Sequence, residues 1–530
     1  MQHPHRVVLL LCFVSIGAAP GCNLLTGADD LHASRDGDPS DEPTGAGGAG
    51  YVEPGNEGTG AGPDDGDTET PPDPGDDGSS PPGPTGPMGF ADGVSITDVD
   101  LYQGVRRPLV QAGQPAASDL PVVAGRDGLL RIFYQTTSGY DGLPVTARLT
   151  VSNAATVEHT TALIGTSSQA QLSSTINLDV PGNLLTPGAE FRVELLQPAP
   201  QSSGANVTAA YPSSGASAPM GVQAGGKKLR ILLVPVQSGG TLPDTSPAQV
   251  DRYQTLFREI YPVPEVEVMV RSQAYSFPGA LTTYQGWSDL LDDISDLRST
   301  DNASDDVYYY GIHAVDAGGL LGLGWVAGPS DVWNRAAIGV GWTGMTSAET
   351  AVHEVGHNHG REHAPCGVPD PDLAFPHPGA SIGTWGYSPS RNELLAPTGY
   401  VDFMSYCEPA WISDYTFKAL FARLTQVSNL PRIYVSPELA NRTYDRIKVL
   451  GNGAYWKDAV QRPRPPVGES LDLQILTAGG DLRAATGSYF RYSEPGGGML
   501  LVMRPRSLHP ADQTTEVTFS IDGKTFTLTH

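Results

Sequence analysis

The sequence predicts an α/β (α+β) domain with a twisted mixed sheet, flanked by an all-β sandwich before it and a small β domain after it. Three observations predict this arrangement. Continuous apolar runs alternate with helical stripes over residues 225–430, short alternating strands fill 93–224, and strand patterns return over 431–530. A chain of 530 residues is long enough for these domains to have their own cores.

The first 22 residues resemble an export signal. A weakly basic start precedes the apolar run Val7–Ile16, which is too short to span a membrane comfortably, and small residues lead up to Cys22. This ending is similar to a bacterial lipoprotein signal, in which the cysteine becomes the lipidated first residue. Ala19 and Pro20 depart from that pattern, so plain secretion stays open beside lipidation of Cys22. We expect an exported protein, at the cell surface or outside the cell, that meets a membrane only through a lipid anchor.

Residues 23–92 form an acidic segment rich in Gly, Pro, Asp, Ser and Thr. From Asp29 to Asp92 there are 16 acidic residues and one basic residue, Arg35, so this segment holds −15 (1 − 16) of the chain's net charge of −26. Few apolar side chains are present to offset the ordering entropy, which predicts a disordered tether. The acidic charge favours a solvated spacer over a docking site. The rest of the chain lacks the basic face that nucleic-acid binding needs, so no nucleic-acid partner is expected.

Short alternating strands predict an antiparallel β-sandwich over residues 93–224. Turn residues separate the strands, and no catalytic constellation occurs among them. The domain is expected either to bind substrate, glycan or protein, or to pack against the next domain. The predicted strands are Val94–Tyr102, Leu129–Tyr134, Val145–Val151, Thr175–Val180 and Phe191–Leu195.

Residues 225–430 alternate predicted strands and helices. Continuous apolar runs such as Leu229–Val236 are typical of strands that are covered on both faces. His313 lies in a later run and is expected to be a core residue. The further strands are Glu265–Arg271, Val307–Val315 and Ala336–Trp342, and two helical stripes run through Val250–Ile260 and Trp287–Leu297.

The next helix carries the residues with the clearest chemistry. From His353 to His363 the chain reads H-E-x-x-H-x-x-G-x-x-H. Residues four apart on a helix lie about 40° apart around its axis, so His353 and His357 share a face and can hold one ion. Glu354 lies about 100° away, outside the ligand set but within reach of a water molecule held at that ion. His359 points to another side and is expected to be a core residue.

The start and the end of this helix are also predicted. Thr346 and Glu349 form the T-x-x-E pattern of a capping box. Gly360 can adopt the left-handed conformation that ends a helix, after which His363 can return as a third ligand. Three neutral imidazoles leave the fourth position of a zinc ion open, which a catalytic zinc needs and a structural zinc lacks. The pattern therefore predicts one catalytic Zn²⁺ and a peptidase.

With the downstream string Val401–Cys407, this motif resembles the metzincin superfamily of zinc endopeptidases. Those enzymes carry the same long motif and, tens of residues later, a tight turn with a methionine beneath the metal. The resemblance implies a metzincin-like fold for residues 225–430, with the three histidines of the motif as ligands. It also implies that Glu354 is the general base and that Met404 forms the base of the zinc site.

The resemblance implies a role for Tyr406 as well. In astacin-like and serralysin-like members, a tyrosine two residues after the methionine ligates zinc at rest and swings out to stabilise the tetrahedral intermediate. A core tyrosine is the alternative here. Ala364, which follows the third histidine, fits no particular metzincin family. The string H-E-V-G-H-N-x-G is also similar to that of bacterial mucin-cleaving metalloproteases, although no mucin-binding feature is visible.

Two of the four cysteines remain after the first 22 residues. Cys366 follows the third histidine by three residues, and Cys407 follows the methionine by three. Both should lie under the zinc in an oxidising compartment, and we predict a disulfide between them. Two free buried thiols are the alternative. A pair of zinc ligands is disfavoured because the three histidines already fill that role.

The last part of the chain returns to strands after one more helix, which Ser413 can cap and which runs through Leu424. Asp522-Gly523 lies between two alternating runs and predicts a hairpin. The role of this β domain is not evident from its residues. The predicted strands are Leu471–Leu476, Met499–Met503, Val517–Ile521 and Thr525–Leu528.

These features predict an exported endopeptidase whose substrate is a protein or glycoprotein, extended along an edge strand formed by Ala336–Trp342. A surface adhesin or binding lipoprotein with a vestigial or regulatory zinc site is one alternative, and the intact Glu354 counts against it. A zinc amidase that acts on cell wall is a third possibility, which the third histidine disfavours. The sequence assigns neither calcium sites nor an oligomeric state.

Overall fold

The computed structural model describes residues 87–530, except 153–154, 199–205, 317, 431–434, 452 and 507–508. The predicted export signal, Cys22 and the acidic segment up to residue 86 lie outside the described residues. No described helix combines the length and the apolar character needed to cross a bilayer.

Two antiparallel sheets enclose the core of the N-terminal part. Their orders are β1-β10-β7-β8, with β11 and β12 also on β10, and β4-β3-β2-β6-β9; β5 and β13 form a separate parallel pair. The strands are β1 (Met88–Phe90), β2 (Val94–Tyr102), β3 (Arg106–Gln111), β4 (Gln114–Pro115), β5 (Val122–Val123), β6 (Gly128–Thr136), β7 (Val145–Val151), β8 (Ala155–Thr161), β9 (Ile176–Val180), β10 (Glu190–Pro198), β11 (Ala210–Tyr211), β12 (Ala218–Pro219) and β13 (Val222–Gln223).

Alternation places every second side chain of these strands in one shared core. Val99 and Ile132 from one sheet meet Leu149 and Val193 from the other in a single buried cluster. Strand β1 lies within the range 23–92 that composition assigns to the tether. It pairs with the end of β10, and Phe90 packs against the core, so the ordered part begins earlier than composition indicates.

A mixed sheet with helices on both faces forms the central part. Its order is β15-β14-β17-β19-β18, with β16 beside β14, and only β18 runs antiparallel to its neighbour. The elements are β14 (Lys228–Gln237), α1 (Pro247–Ile260), β15 (Glu265–Val270), β16 (Tyr275–Ser276), α2 (Tyr284–Thr300), β17 (Val307–His313), β18 (Gly322–Gly324), β19 (Ala336–Val340), α3 (Met345–Asn358), β20 (Gly386–Ser388), β21 (Glu393–Leu395), β22 (Val401–Asp402), β23 (Ala410–Trp411) and α4 (Asp414–Ser428).

The continuous apolar strands bury both of their faces, as the sequence predicts. On one face, α1 and α3 share a cluster with Ile231 and Leu233; on the other face, α2 packs on Val234 and Val236. His313 is fully buried in β17, with the indole of Trp287 against its ring at a centroid distance of 4.5 Å. Its core position is therefore confirmed.

The edge of this sheet differs from our expectation. We predicted that Ala336–Trp342 would be the edge strand, but β18 pairs with β19 and lies outside it. The glycine-rich stretch that forms β18 has little strand propensity of its own, and its pairing with β19 overrides that weakness. An incoming extended chain would therefore meet β18 rather than β19.

A single antiparallel sheet forms the C-terminal part, in the order β25-β24-β28-β27-β26-β29-β30. The hairpin at Asp522-Gly523 is confirmed, and both residues have the positive φ, 49° and 75°, that such a two-residue turn requires. The strands are β24 (Arg442–Leu450), β25 (Gly453–Arg462), β26 (Glu469–Thr477), β27 (Leu482–Arg491), β28 (Gly498–Met503), β29 (Thr514–Ile521) and β30 (Lys524–Thr529).

Ion pairs fasten this sheet to helix α2. The ammonium of Lys448 is fully buried and lies 2.7 Å from Asp289 and 2.8 Å from Asp292. Lys457 also approaches Asp289, at 2.8 Å. A buried charge is stable only when it is paired, so these contacts fix the docking of the sheet on the helix.

Replacing Lys448 with Met should therefore weaken the whole structure. The variant leaves Asp292 buried without its nearest cation, and loss of one partner of a buried pair costs about 3–5 kcal/mol. We expect a lower urea midpoint for unfolding. R483M is the matched control, because Arg483 is an exposed partner of Asp512, and it should leave the midpoint almost unchanged. Equal midpoints for both variants would contradict this account of the docking.

Candidate metal centre

Three histidine side chains converge at the end of helix α3. His353 and His357 lie one turn apart, and their Nε2 atoms are 3.1 Å apart. His363 joins them from the chain after the helix, and one ring nitrogen from each of the three lies within 4.8 Å of the others. All three side chains are buried. The structure thus brings together the residues that the motif predicts as ligands.

The start of α3 differs from the predicted capping box. The helix begins at Met345, with Gly344 as its N-cap residue at φ 127°, so Thr346 lies inside the first turn. The side chain of Gln249 bonds this N-cap residue instead: its amide oxygen accepts from Gly344 N at 2.8 Å, and its amide nitrogen donates to Gly344 O at 2.9 Å. A residue from α1 thereby holds the N-cap residue in place through its backbone, and no side chain caps the first turn of α3 within the described residues.

The end of α3 follows the prediction for Gly360. Its φ is 72°, its N–H donates to His357 O at 2.8 Å, and Arg361 N–H donates to Gly356 O at 3.0 Å. These two bonds are the pair that closes a helix with a left-handed glycine. The turn reverses the chain within three residues, which is what returns His363 to the face that carries the other two histidines.

Backbone carbonyls fix the tautomers of two of the histidines. His353 Nδ1 lies 2.8 Å from Phe403 O, and His357 Nδ1 lies 2.6 Å from Arg361 O. A carbonyl only accepts, so each Nδ1 carries the proton and each Nε2 presents a lone pair. Burial lowers the pKa of His353 to about 4 and that of His363 to about 3, and it lowers the pKa of His357 well below the usual range. The three imidazoles are therefore neutral at pH 7.

This donor set fits a divalent metal. Two lone pairs face each other across 3.1 Å, close to the roughly 3.3 Å that separates two nitrogens on one tetrahedral zinc ion. Nε2 of His363 is buried and makes no hydrogen bond within the described residues. A cation at this point would satisfy all three nitrogens, and the outer Nδ1 contacts would hold the rings in place for it.

Glu354 lies beside the histidines in a space that two glycines leave open. A Cβ on Gly322 would lie 2.4 Å from Glu354 Oε1, and one on Gly324 would lie 3.0 Å from Oε2. Burial, followed by the charge of Glu494, raises the pKa of Glu354 well above its ordinary value. A carboxylate with a raised pKa is suited to take up a proton and return it.

The turn around Met404 bonds to the chain that follows His363 and to the start of α4. Asp402 is buried, and its carboxylate accepts from Met404 N at 2.9 Å and from Ser413 N at 3.0 Å. Ala364 N donates to Met404 O at 2.9 Å, which ties the chain after His363 to this turn. Ser413 also caps α4 as the sequence predicts, because its side chain accepts from Thr416 N. We did not identify Asp402 from the sequence, although it stands two residues before the methionine.

Gly356 brings helix α3 into close contact with this turn. A Cβ at Gly356 would lie 2.5 Å from Met404 Sδ. Glycine to alanine in a helix usually gains about 1 kcal/mol, but overpacking here should reverse the sign and cost about 1–3 kcal/mol. We expect G356A to unfold at a lower urea concentration than the wild type. Adding M404A should recover part of that loss; strictly additive effects would contradict the contact.

A disulfide joins Cys366 to Cys407, as predicted, across 41 residues of sequence. It links the loop after His363 to the end of the methionine turn. Tyr406 N also donates to Cys366 O at 3.0 Å, so the two segments are bonded beside the disulfide as well.

The hydroxyl of Tyr406 donates to Glu494 Oε1, and its ring lies 4.9 Å from that of His363 between centroids. Its side chain is 41% exposed, so it is not the core tyrosine that was the alternative.

Ser493 Oγ donates to Glu354 Oε2 at 3.1 Å. Ser493 and Glu494 come from the C-terminal sheet and were missed; the only local hint is the run Pro495–Gly498 that follows them.

His359 occupies the core, as expected. Its Nδ1 lies 2.8 Å from Val355 O, and its ring stacks on Tyr308 at 4.6 Å between centroids. It points away from the three converging histidines and is not part of the cluster that could hold a metal.

One comparison bears on this site directly. The family model described as Peptidase M66 matches residues 334–406, a span that holds the motif, Cys366 and the methionine turn, and that ends at Tyr406. No curated protein matches the chain. The match supports a metallopeptidase family, and with it a protease activity for this chain.

Proposed function

We propose that the chain is an exported zinc-dependent endopeptidase of the metzincin type that cleaves extracellular proteins or glycoproteins. The observation that carries this proposal is the convergence of three neutral imidazoles beside one buried carboxylate. Three histidine ligands with an open fourth position are typical of catalytic zinc. The peptidase match over the same residues supports the reaction class.

The zinc ion and the side chains of the protein have separate roles in the proposed hydrolysis. Zinc supplies a Lewis acid that polarises a carbonyl group and makes water easier to deprotonate. Glu354 takes the proton from the attacking water and hands it to the nitrogen of the leaving amine. In the transition state the hydroxyl of Tyr406 turns its one proton from Glu494 to the oxygen that becomes negative, while Met404 and Gly360 support the histidines.

The substrate lies extended along β18. Strand β18 pairs with β19 on one side, and an incoming peptide can pair with its other side at Gly322, next to Glu354. Gly322 lacks a side chain and so allows a peptide backbone to come close to the carboxylate. Export through the N-terminal signal, with a lipid on Cys22, would bring this site into contact with extracellular proteins.

Removing the metal tests the proposal. We expect the purified protein to contain about one zinc per chain, to lose cleavage of a peptide pool after dialysis against a chelator, and to regain it with one equivalent of zinc. Thermal unfolding should shift to a lower temperature in the metal-free form, because the ion binds only the folded site. Cleavage that persists after the zinc has been removed would contradict the proposal.

A further inference from the structure

The turn between β27 and β28 pairs with the outer side of β18. Ser493 N donates to Gly324 O at 2.8 Å, and Gly324 N donates to Ser493 Oγ at 2.9 Å. One residue further on, Trp325 forms an antiparallel bridge with Tyr492. The C-terminal sheet therefore extends the central sheet at the strand where we place the substrate.

This turn is held firmly against the central domain. The ring of Tyr492 packs on Trp325 at 4.6 Å between centroids, and its hydroxyl donates to Asp292 at 3.2 Å. Tyr492 N donates to Gly497 O at 3.1 Å and closes the turn. Ser493 and Glu494, which follow Tyr492 in this turn, are thus presented from a fixed frame, which is what precise placement of a side chain requires.

Those two residues meet the two side chains that the proposed reaction uses. Ser493 reaches Glu354, and Glu494 accepts from the hydroxyl of Tyr406. A hydrogen bond to a carboxylate is stronger than one between neutral groups and has a defined geometry. Tyr406 is partly exposed, so without that acceptor its side chain could adopt other orientations.

We propose that the turn Tyr492–Gly497 of the C-terminal sheet is a working part of the active site, in which Ser493 positions Glu354 and Glu494 positions Tyr406. This inference rests on the proposed peptidase function. Glu494 acts through Tyr406 and is a positioning residue. This gives the C-terminal sheet a role that the sequence leaves open. Its turn completes the site, although it lies more than 80 residues after the methionine turn in the sequence.

The same turn limits the length of the substrate groove, by which we mean the space along the outer edge of β18. Ser493 occupies the outward N–H and C=O of Gly324, and the two-residue period of a strand turns those of Gly322 to the same side. A substrate can therefore pair with Gly322 and with residues that precede it in the sequence. At Gly324 the turn blocks further pairing. We infer that the groove is closed at that end and accepts few substrate residues in that direction.

A double-mutant cycle tests the positioning role. We expect Y406F to lower kcat about 100-fold and E494A to lower it about tenfold, with KM and zinc content unchanged. Glu494 also acts on Glu354 through its charge, so the double variant is compared with Y406F/E494Q, which removes the same charge; the two should be equally fast, because without the Tyr406 hydroxyl the acceptor at position 494 no longer matters. E494Q keeps an acceptor oxygen and should retain most of kcat. Independent effects, with the double variant about tenfold slower than Y406F/E494Q, would overturn the inference.

A spectroscopic measurement separates this inference from the proposed function. With 3-fluorotyrosine placed at position 406 of the metal-free full chain, E494A should shift the ¹⁹F resonance, and E494Q should shift it less. E393A is the matched control, because Glu393 accepts from the half-buried Tyr400 at 3.4 Å, and it should leave the resonance in place. An unchanged resonance in E494A overturns the inference even if the protein is a peptidase. A shift in a protein that cleaves nothing overturns only the peptidase function.

Discussion

Glu354→Gln should bind zinc as the wild type does and lose about 10³-fold in kcat. Glutamine has the same shape, and its amide oxygen can still accept from Ser493, so the fold and the three histidines are untouched. It cannot take up the proton that Glu354 receives in the proposed reaction. Zinc content by metal analysis and turnover of a quenched-fluorescence peptide library measure the two effects separately.

Glu362→Gln is the control for this variant. It makes the same chemical change one residue from His363, on a side chain that is exposed and has no part in the proposed reaction. It should cleave at the wild-type rate. Wild-type turnover in Glu354→Gln would show that Glu354 is not the base, and loss of zinc from that variant would show that it has a role in holding the site.

Replacing Cys366 and Cys407 together with Ser should weaken both the fold and the metal site. The disulfide closes a loop with a sequence separation of 41, and removing a cross-link over such a loop lowers the free energy of unfolding by roughly 4 kcal/mol. His363 and Met404 lie on the two segments it joins, so zinc affinity should also fall, by about 10–100-fold.

Urea unfolding and competition with a zinc chelator measure these two quantities. The wild type should also show no alkylation at either cysteine before reduction. A double variant with wild-type stability and wild-type zinc affinity would contradict the structural role of the bond. Alkylation of both cysteines without reductant would contradict the bond itself.

The three-histidine cluster could be predicted from the sequence because its determinants are local. The spacing of His353 and His357 places them on one face of any helix, and Gly360 ends that helix with a left-handed residue whatever surrounds it. The disulfide followed from two short offsets, three residues beyond the third histidine and three beyond Met404. The hairpin at Asp522-Gly523 is equally local, because only residues that tolerate positive φ fit its turn.

The features we missed depend on contacts between distant segments. The N-cap residue of α3, Gly344, is held by Gln249 from nearly a hundred residues earlier, and the local pattern of Thr346 and Glu349 does not reveal that contact. Strand β18 forms from a glycine-rich stretch that only pairing with β19 makes into a strand. Ser493 and Glu494 reach the site because the C-terminal sheet docks through Lys448 on α2, which no spacing in the sequence reveals.

The most direct test of a catalytic zinc site served by Glu354 is a map of new peptide termini. The zinc-loaded wild type and Glu354→Gln would each be incubated with a pool of proteome peptides, intact proteins and mucin, and the products analysed by mass spectrometry. We expect internal cuts from the wild type alone, in extended segments, and cuts beside glycosylated Ser or Thr would favour a glycoprotein substrate. The same cuts from both proteins, or none from the zinc-loaded wild type, would contradict this expectation.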